Sequence, residues 1–231
     1  EEVAGKWLID LLDLPRESSI GFTTGATMAS FICLATARQE VLRRHGWDIT
    51  ADGLSGAPQV SVNISEEAHS SIFATLRFLG FGQNRLKRVA ADEQGRMMPD
   101  DLARSLSGDD GPKIIISQAG HINSGAFDDF EALSALAKVT DAWLHVDGAF
   151  GLWARSARSK AHLCRGADKA DSWAVDGHKW LQVPYDSGYA IVKDSAAHQN
   201  AMAIKASYLN QRADDGRNPS HYVPELSRRA R

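Results

Sequence analysis

Two hydrophobic rhythms alternate along the chain. One has a period near 3.6 and predicts helices; the other is a set of short, almost wholly apolar runs that predict strands buried on both faces. Residues 1 to 13 carry an amphipathic helix pattern that closes before Pro15. A second helix is expected from Ala26 to about Arg44, on the stripe Phe31, Leu34, Ala35 and Leu42, with Gly46 as its stop. The segment GFTTG between them reads as a turn. A strand follows at 59–64 (QVSVNI), then a helix from about His69 to Leu79 ended by Gly80 and Gly82, then a strand from Arg85 to Ala90. Pro99 opens a short helix from the favoured first-turn position. The run PKIIISQ is a buried strand, 128–139 a helix, and AWLHVD, SWAVD and GYAIVK are further strands. Such alternation predicts an α/β fold with a mostly parallel central sheet and helices on both faces.

Composition narrows the partners more than the fold. With 231 residues, 43% of them hydrophobic and 24% charged, the chain can bury a sizeable core. A net charge of -3 and scattered basic residues argue against nucleic acid, and the cluster Arg228, Arg229 and Arg231 reads as a solvated helix turn. No apolar run reaches transmembrane length and the start lacks a signal-peptide pattern, so no membrane partner is expected and the cytoplasm is the expected compartment. Cys33 and Cys164 read as buried free thiols. The polar, breaker-rich stretch QRADDGRNPS (211–220) reads as a long loop, either gating a cleft or linking to a further segment.

The chemistry is concentrated in DSWAVDGHKWLQVP and WLHVDGAFG. A lysine in an apolar run, Lys179, offers the neutral amine that an imine with an aldehyde cofactor needs. A carboxylate at the end of a hydrophobic strand, Asp147, can keep a cofactor ring nitrogen protonated so that the ring acts as an electron sink. Together they are what a pyridoxal phosphate enzyme requires. Each also has a plain structural reading, Lys179 as a snorkelling side chain and Asp147 as a cap. His178 is either a core histidine or a group on the phosphate or substrate side. Gly25, Ala26 and Thr27 stand just before a helix, where small residues let backbone N–H groups approach a phosphate; Thr27 is otherwise an ordinary cap. His69, at a strand-to-helix junction, either stacks on a ring or bonds locally. His121, Asn123 and Ser124 occupy the loop after the strand IIIS, and Ala149 is small enough to let a ring lie against the backbone. His145, Asp147 and His178 lack a third ligand at a strong spacing, so no metal is expected. Five segments thus fall at strand ends or helix starts, as one site requires.

With GFTTGATMASFICLATAR, AHSSI and GHINSGAFD, these blocks make the chain resemble the pyridoxal-phosphate-dependent group II amino acid decarboxylases, of the aspartate aminotransferase fold type. The likeness runs over nearly the whole chain, and HVDGAFG with DSWAVDGHKW is its most specific part. It implies pyridoxal 5'-phosphate as cofactor, with Lys179, His69 and Asp147 as the catalytic group. Lys179 would be the Schiff-base lysine, Asp147 the partner of the pyridine nitrogen, and His69 the residue stacked on the ring. Gly25, Ala26 and Thr27 would lie at the phosphate, Ala149 against the ring, His178 beside the lysine and Asn123 near the 3'-oxygen. Asp176 matches a position where relatives often carry Asn near the phosphate; a carboxylate there would repel the phosphate unless protonated or turned away.

The resemblance also implies organisation. Family members are about twice this length, so 1–210 is expected to be the large cofactor-binding domain, incomplete on its N-terminal side, and 211–231 a loop and the start of a connection to a C-terminal small domain. Relatives use a tyrosine on a mobile loop, donated across a dimer, as the acid; QRADDGRNPS matches that loop, flanked by Tyr208 and Tyr222, neither of which aligns. The implied function is a carbon–carbon lyase decarboxylating an L-amino acid, as a homodimer or in association with a complementary fragment. Aldolase, transaminase or deaminating oxidase chemistry, and a non-catalytic chain that only dimerises, stay open.

Overall fold

The computed structural model describes residues 1–204 and 217–227. Tyr208, residues 211–216 of the predicted loop, and Arg228, Arg229 and Arg231 lie outside the described residues. Helix α1 (Glu2–Leu11) leads into β1 (Ser19–Thr23), α2 (Ala26–Arg44), the single turn α3 (Ile49–Asp52) and β2 (Ser61–Ser65). Next come α4 (Ser70–Phe78), β3 (Lys87–Val89), α5 (Pro99–Leu106), β4 (Lys113–Gln118) and α6 (Phe130–Val139). The order closes with β5 (Trp143–Asp147), three short 3-10 segments, β6 (Ser172–Asp176), β7 (Gly188–Val192) and α7 (Ser195–Met202).

Seven strands form one sheet in the order β1-β7-β6-β5-β4-β2-β3. All pairings from β6 across to β3 are parallel, while β7 runs antiparallel to both β6 and β1. The period-2 geometry of a strand splits its side chains between two cores. Ile115, Leu144, Val146, Trp173 and Ile191 pack on one face with α1, α5 and α6. Ile114, Ile116, Trp143, Ala190 and Val192 pack on the other with α2, α4 and α7. Burial on both faces is why these strands read as continuous apolar runs rather than as alternating ones. Lys113 enters β4 buried, its Nζ donating to the Asp109 and Gly111 carbonyls at 2.7 Å each.

Three expectations need correction. First, GFTTG is not simply a turn: Gly21, Phe22 and Thr23 are the end of β1, paired with β7 from Ser19 opposite Val192 to Thr23 opposite Gly188. Gly21 is there because a Cβ would collide with the Tyr222 carbonyl oxygen, so the glycine marks a close approach of chain, not a break. Second, α2 is not amphipathic with one stripe. Ile32, Cys33, Ala37 and Val41 are fully buried as well as Leu34 and Leu42, whereas Phe31 is only half-buried, because α2 packs on the sheet and between α4 and α7. Third, the predicted 128–139 helix starts at Phe130, with Asp129 as its N-cap accepting from the Ala132 N–H at 3.1 Å. Asp128 turns inward instead and accepts from Met97 N at 2.8 Å and Gln118 N at 2.7 Å. Its burial pushes that carboxyl up to about 6.

Helix α7 has no counterpart in the sequence reading, since SAAHQNAM lacks an apolar stripe. Its start is defined by Asp194, which accepts from the Ala196 and Ala197 N–H groups at 2.9 and 3.1 Å. Asp194→Ala is expected to cost about 1 kcal/mol. Urea denaturation should show a lower midpoint at unchanged slope; an unchanged midpoint would contradict the cap. Cys33 and Cys164 are free and buried, and burial pushes both thiols up to about 12. Among the described residues no helix is long and apolar enough to cross a membrane.

Candidate active site

Parallel strands deliver their carboxyl ends to one edge of the sheet, and ligand sites of open α/β sheets form there. At that edge β5 ends on Asp147 and β6 on Asp176, and a cavity of 310 Å³ opens between them and the start of α2. Nine of the ten residues assigned to the cofactor line it: Gly25, Ala26 and Thr27 from the α2 start, His69, Asp147, Ala149, Asp176, His178 and Lys179.

The tenth, Asn123, does not. His121 folds inward, and its Nδ1 accepts from the Asn123 and Ser124 N–H groups at 3.4 and 3.3 Å, with Ser124 Oγ at 3.2 Å. The turn therefore closes on its own histidine and leaves Asn123 exposed; Gln118 and Ile122 form that wall instead.

The start of α2 is unusual in its partner. Its N-cap is Gly25, not Thr27, and Gly25 offers no side chain to satisfy the first turn. The missing acceptor comes from Asp176, 150 residues away, whose Oδ1 takes the Ala26 N–H at 2.6 Å. Packing holds the helix end in place: a Cβ at Gly188 would collide with the Gly25 backbone, so β7 and the helix start lie in direct backbone contact. The N–H groups of the first helical turn have no partner within a helix, and with the helix dipole they favour an anion.

Asp176 is almost fully buried and makes two further contacts. Its Oδ2 lies 3.1 Å from Lys179 Nζ, and its Oδ1 lies 3.4 Å from His178 Nε2. His178 Nδ1 accepts the Ser187 N–H at 3.2 Å, which puts the proton of the neutral ring on Nε2, facing Asp176. His69 is the N-cap of α4, its Nδ1 accepting from Ser71 N at 3.3 Å with Ser71 Oγ at 2.8 Å. It thus makes the local bond expected of a cap and faces the cavity as well. Asp147 Oδ1 accepts the Ala149 N–H at 3.2 Å. Burial pushes the Asp147 carboxyl above the usual carboxylate range, opposed by that N–H and by the charges of His69 and Lys179.

Two aromatic residues that sequence reasoning passed over complete the mouth. Tyr185 stacks on the His178 ring at 4.0 Å between centroids and 22° between planes, and Lys179 Nζ stands 5.5 Å from the Phe150 centroid. In sequence, nothing local reports that the tyrosine of VPYD folds back over a histidine seven residues earlier.

Chemically the set offers one lysine amine, a buried carboxylate, backbone donors at a helix start and two imidazoles around one cavity. That donor set fits pyridoxal phosphate, Asp176 being the carboxylate at the helix start, where its charge opposes a phosphate. Among the described residues no three His, Cys, Asp or Glu side chains are grouped to hold a metal ion. His145 is buried one pleat below Asp147, its Nδ1 2.9 Å from Ser172 Oγ.

Comparison with known proteins gives the same picture. The chain is 30% identical over 207 residues to an aromatic-L-amino-acid decarboxylase of Bacillus atrophaeus, covering 88% of this chain and 41% of that protein. It is 32% identical over 195 residues to the cysteine sulfinic acid decarboxylase of Rattus norvegicus, covering 82% of this chain and 39% of the relative. The crystal structure of mouse CSAD superposes with a TM-score of 0.87 at 28% identity, over 99% of this chain and 48% of that one. The structure of Oryza sativa TDC with PLP and tryptamine shares the fold, with a TM-score of 0.88 at 23% identity, over 98% of this chain and 49% of that one. The chain therefore spans less than half the length of these relatives. The family described as pyridoxal-dependent decarboxylase conserved domain matches residues 1–231 from end to end, and it is to this family, with its type I fold, that the chain belongs.

Proposed function

We propose that the chain is the cofactor-binding core of a pyridoxal-phosphate-dependent enzyme that decarboxylates an L-amino acid. The observation that carries this reading is the convergence of Lys179, Asp147 and the α2 start on one cavity at the carboxyl edge of the sheet. Bound pyridoxal phosphate supplies an electron sink for the bond that breaks. Lys179 Nζ would be the amine that holds the cofactor's aldehyde. Asp147 would hold a proton on the ring nitrogen. The first-turn N–H groups of α2 would face the phosphate, the Ala26 N–H being already bonded to Asp176. His69 would cover one face of the ring and Ala149 leave room on the other, with Phe150 and Tyr185 at the mouth. Relatives named for aromatic, cysteine sulfinic acid and 2,4-diaminobutyrate substrates support decarboxylation without selecting one side chain.

A panel of carboxyl-labelled L-amino acids, given to the full-length protein with pyridoxal phosphate, tests the reading. Labelled CO2 from at least one is the expected result. Keto acid, aldehyde or ammonia without CO2 would assign transaminase, aldolase or oxidase chemistry instead, and no product from any would leave only the supporting role. The reading includes a homodimer. Tyr185 and Trp180 are 77% and 62% exposed beside the cavity mouth, with Phe150 and Ile122 next to them, an apolar patch that a second copy would cover. Light scattering should give twice the protomer mass; a monomer would remove that part.

A further inference from the structure

We propose that Asp176 sets how tightly the site holds the cofactor's phosphate, because its carboxylate already occupies the groups that a phosphorylated ligand needs. The inference rests on the pyridoxal phosphate reading and sharpens it for one residue. A helix start that faces a phosphate site normally keeps its first N–H groups for the ligand. Here the chain's own anion has taken the first of them, with Asp176 Oδ1 2.6 Å from Ala26 N. The same carboxylate pairs with Lys179 Nζ at 3.1 Å, and its Oδ1 faces the Nε2 proton of His178 at 3.4 Å.

This is a built arrangement rather than a chance contact. The Asp176 side chain is 5% exposed, and the Ser187 N–H on His178 Nδ1 fixes which imidazole nitrogen faces it. Its main chain is tied as well, the carbonyl accepting from Trp153 Nε1 at 2.9 Å. Asp147, the other carboxylate of the cavity, adds like charge; Lys179 and His178 are the cationic or proton-bearing groups that face Asp176. A phosphate arriving at Ala26 and Thr27 therefore meets a second negative group at the same helix end, and like charges in one site disfavour each other. Pyridoxal, which lacks the phosphate, brings no such charge to the helix end and does not carry this penalty. Asp176 thus weakens the phosphate's hold selectively, and it keeps Lys179 oriented when the cofactor is absent.

Asparagine at 176 keeps the shape and an oxygen for the Ala26 N–H, removes the negative charge, and turns its NH2 group toward Lys179, where Oδ2 stood. The test compares pyridoxal phosphate with pyridoxal, which has the same ring and aldehyde but no phosphate. Both are titrated into full-length cofactor-free protein, wild type and Asp176→Asn, with protein fluorescence giving Kd and borohydride followed by mass spectrometry reporting attachment at Lys179. The expected result is that the preference for pyridoxal phosphate over pyridoxal rises at least tenfold in the variant, about 1.4 kcal/mol. Asp176→Ser, also neutral but shorter, must shift the preference the same way, which covers failure of the asparagine variant to fold. A preference unchanged within about threefold, or one that falls, with normal Lys179 labelling would overturn the role of Asp176 alone. If neither compound attaches to Lys179 in any of the three proteins, the cofactor reading itself fails and takes this inference with it.

Discussion

Alanine at Lys179 is expected to abolish covalent attachment of pyridoxal phosphate and to lower turnover by roughly 10³-fold or more, the scale seen when a covalent catalytic group is lost. Lys179 is the one lysine among the described residues that lines the cavity. No neighbour can take over its role, because none of the other side chains that line the cavity carries an aliphatic amine. Borohydride treatment and the intact mass give the readout: wild type gains the cofactor mass and the variant does not. Lys179→Arg is the sharper control. Arginine keeps a cation beside the buried Asp176 carboxylate, so the ion pair at 3.1 Å can persist while the nucleophilic amine is gone. Activity in the arginine variant would show that the pair, not the amine, is what matters.

Asp147→Asn should leave labelling of Lys179 intact and lower kcat by about 10²- to 10³-fold, the range for removal of one preorganised electrostatic group. Asparagine keeps an oxygen for the Ala149 N–H, so the local turn survives. What disappears is the charge. Burial pushes the Asp147 carboxyl up, which means that its anion is poorly solvated and gains most from a cation brought next to it. A protonated ring nitrogen is such a cation, and the pairing becomes strong because water is excluded. The measurement is kcat on whichever amino acid releases CO2, beside the borohydride-trapped mass. Unchanged kcat with normal labelling would reduce Asp147 to a turn residue.

That both side chains are candidates for one cavity was legible in the sequence, because each is anomalous where it stands. Asp147 ends an apolar run and Lys179 interrupts one, and each anomaly survives without knowledge of the fold. The parallel strands were legible for the same reason, since Ile114, Ile115 and Ile116 can be consecutive only where both faces are covered. Features that depend on distant chain were not. GFTTG looked like a turn because its two glycines, Gly21 in β1 and Gly25 at the start of α2, are explained by close approach of the Tyr222 carbonyl and of β7, neither near in sequence. Asn123 looked like a ligand because a polar loop after a strand does not reveal that His121 gathers its N–H groups inward. Tyr185 carried no signal, as stacking on His178 is a property of how one loop folds back. Asp176 was read as a charge in the wrong place, and only the structure shows which three groups it engages.

The bond between Ala26 and Asp176 also has a meaning in time. The helix that begins the phosphate end of the site is closed by a residue 150 positions later, and β1 finds its strand partner only when Val192 reaches Ser19. A ribosome adding about 5–20 residues per second needs on the order of ten seconds to bridge that interval. Throughout it the nascent chain carries an unpaired strand and an uncapped helix, and it has no Lys179 to offer. Covalent capture of a cofactor at Lys179 is therefore expected only after that interval, and no cofactor bound through Lys179 protects the chain during it.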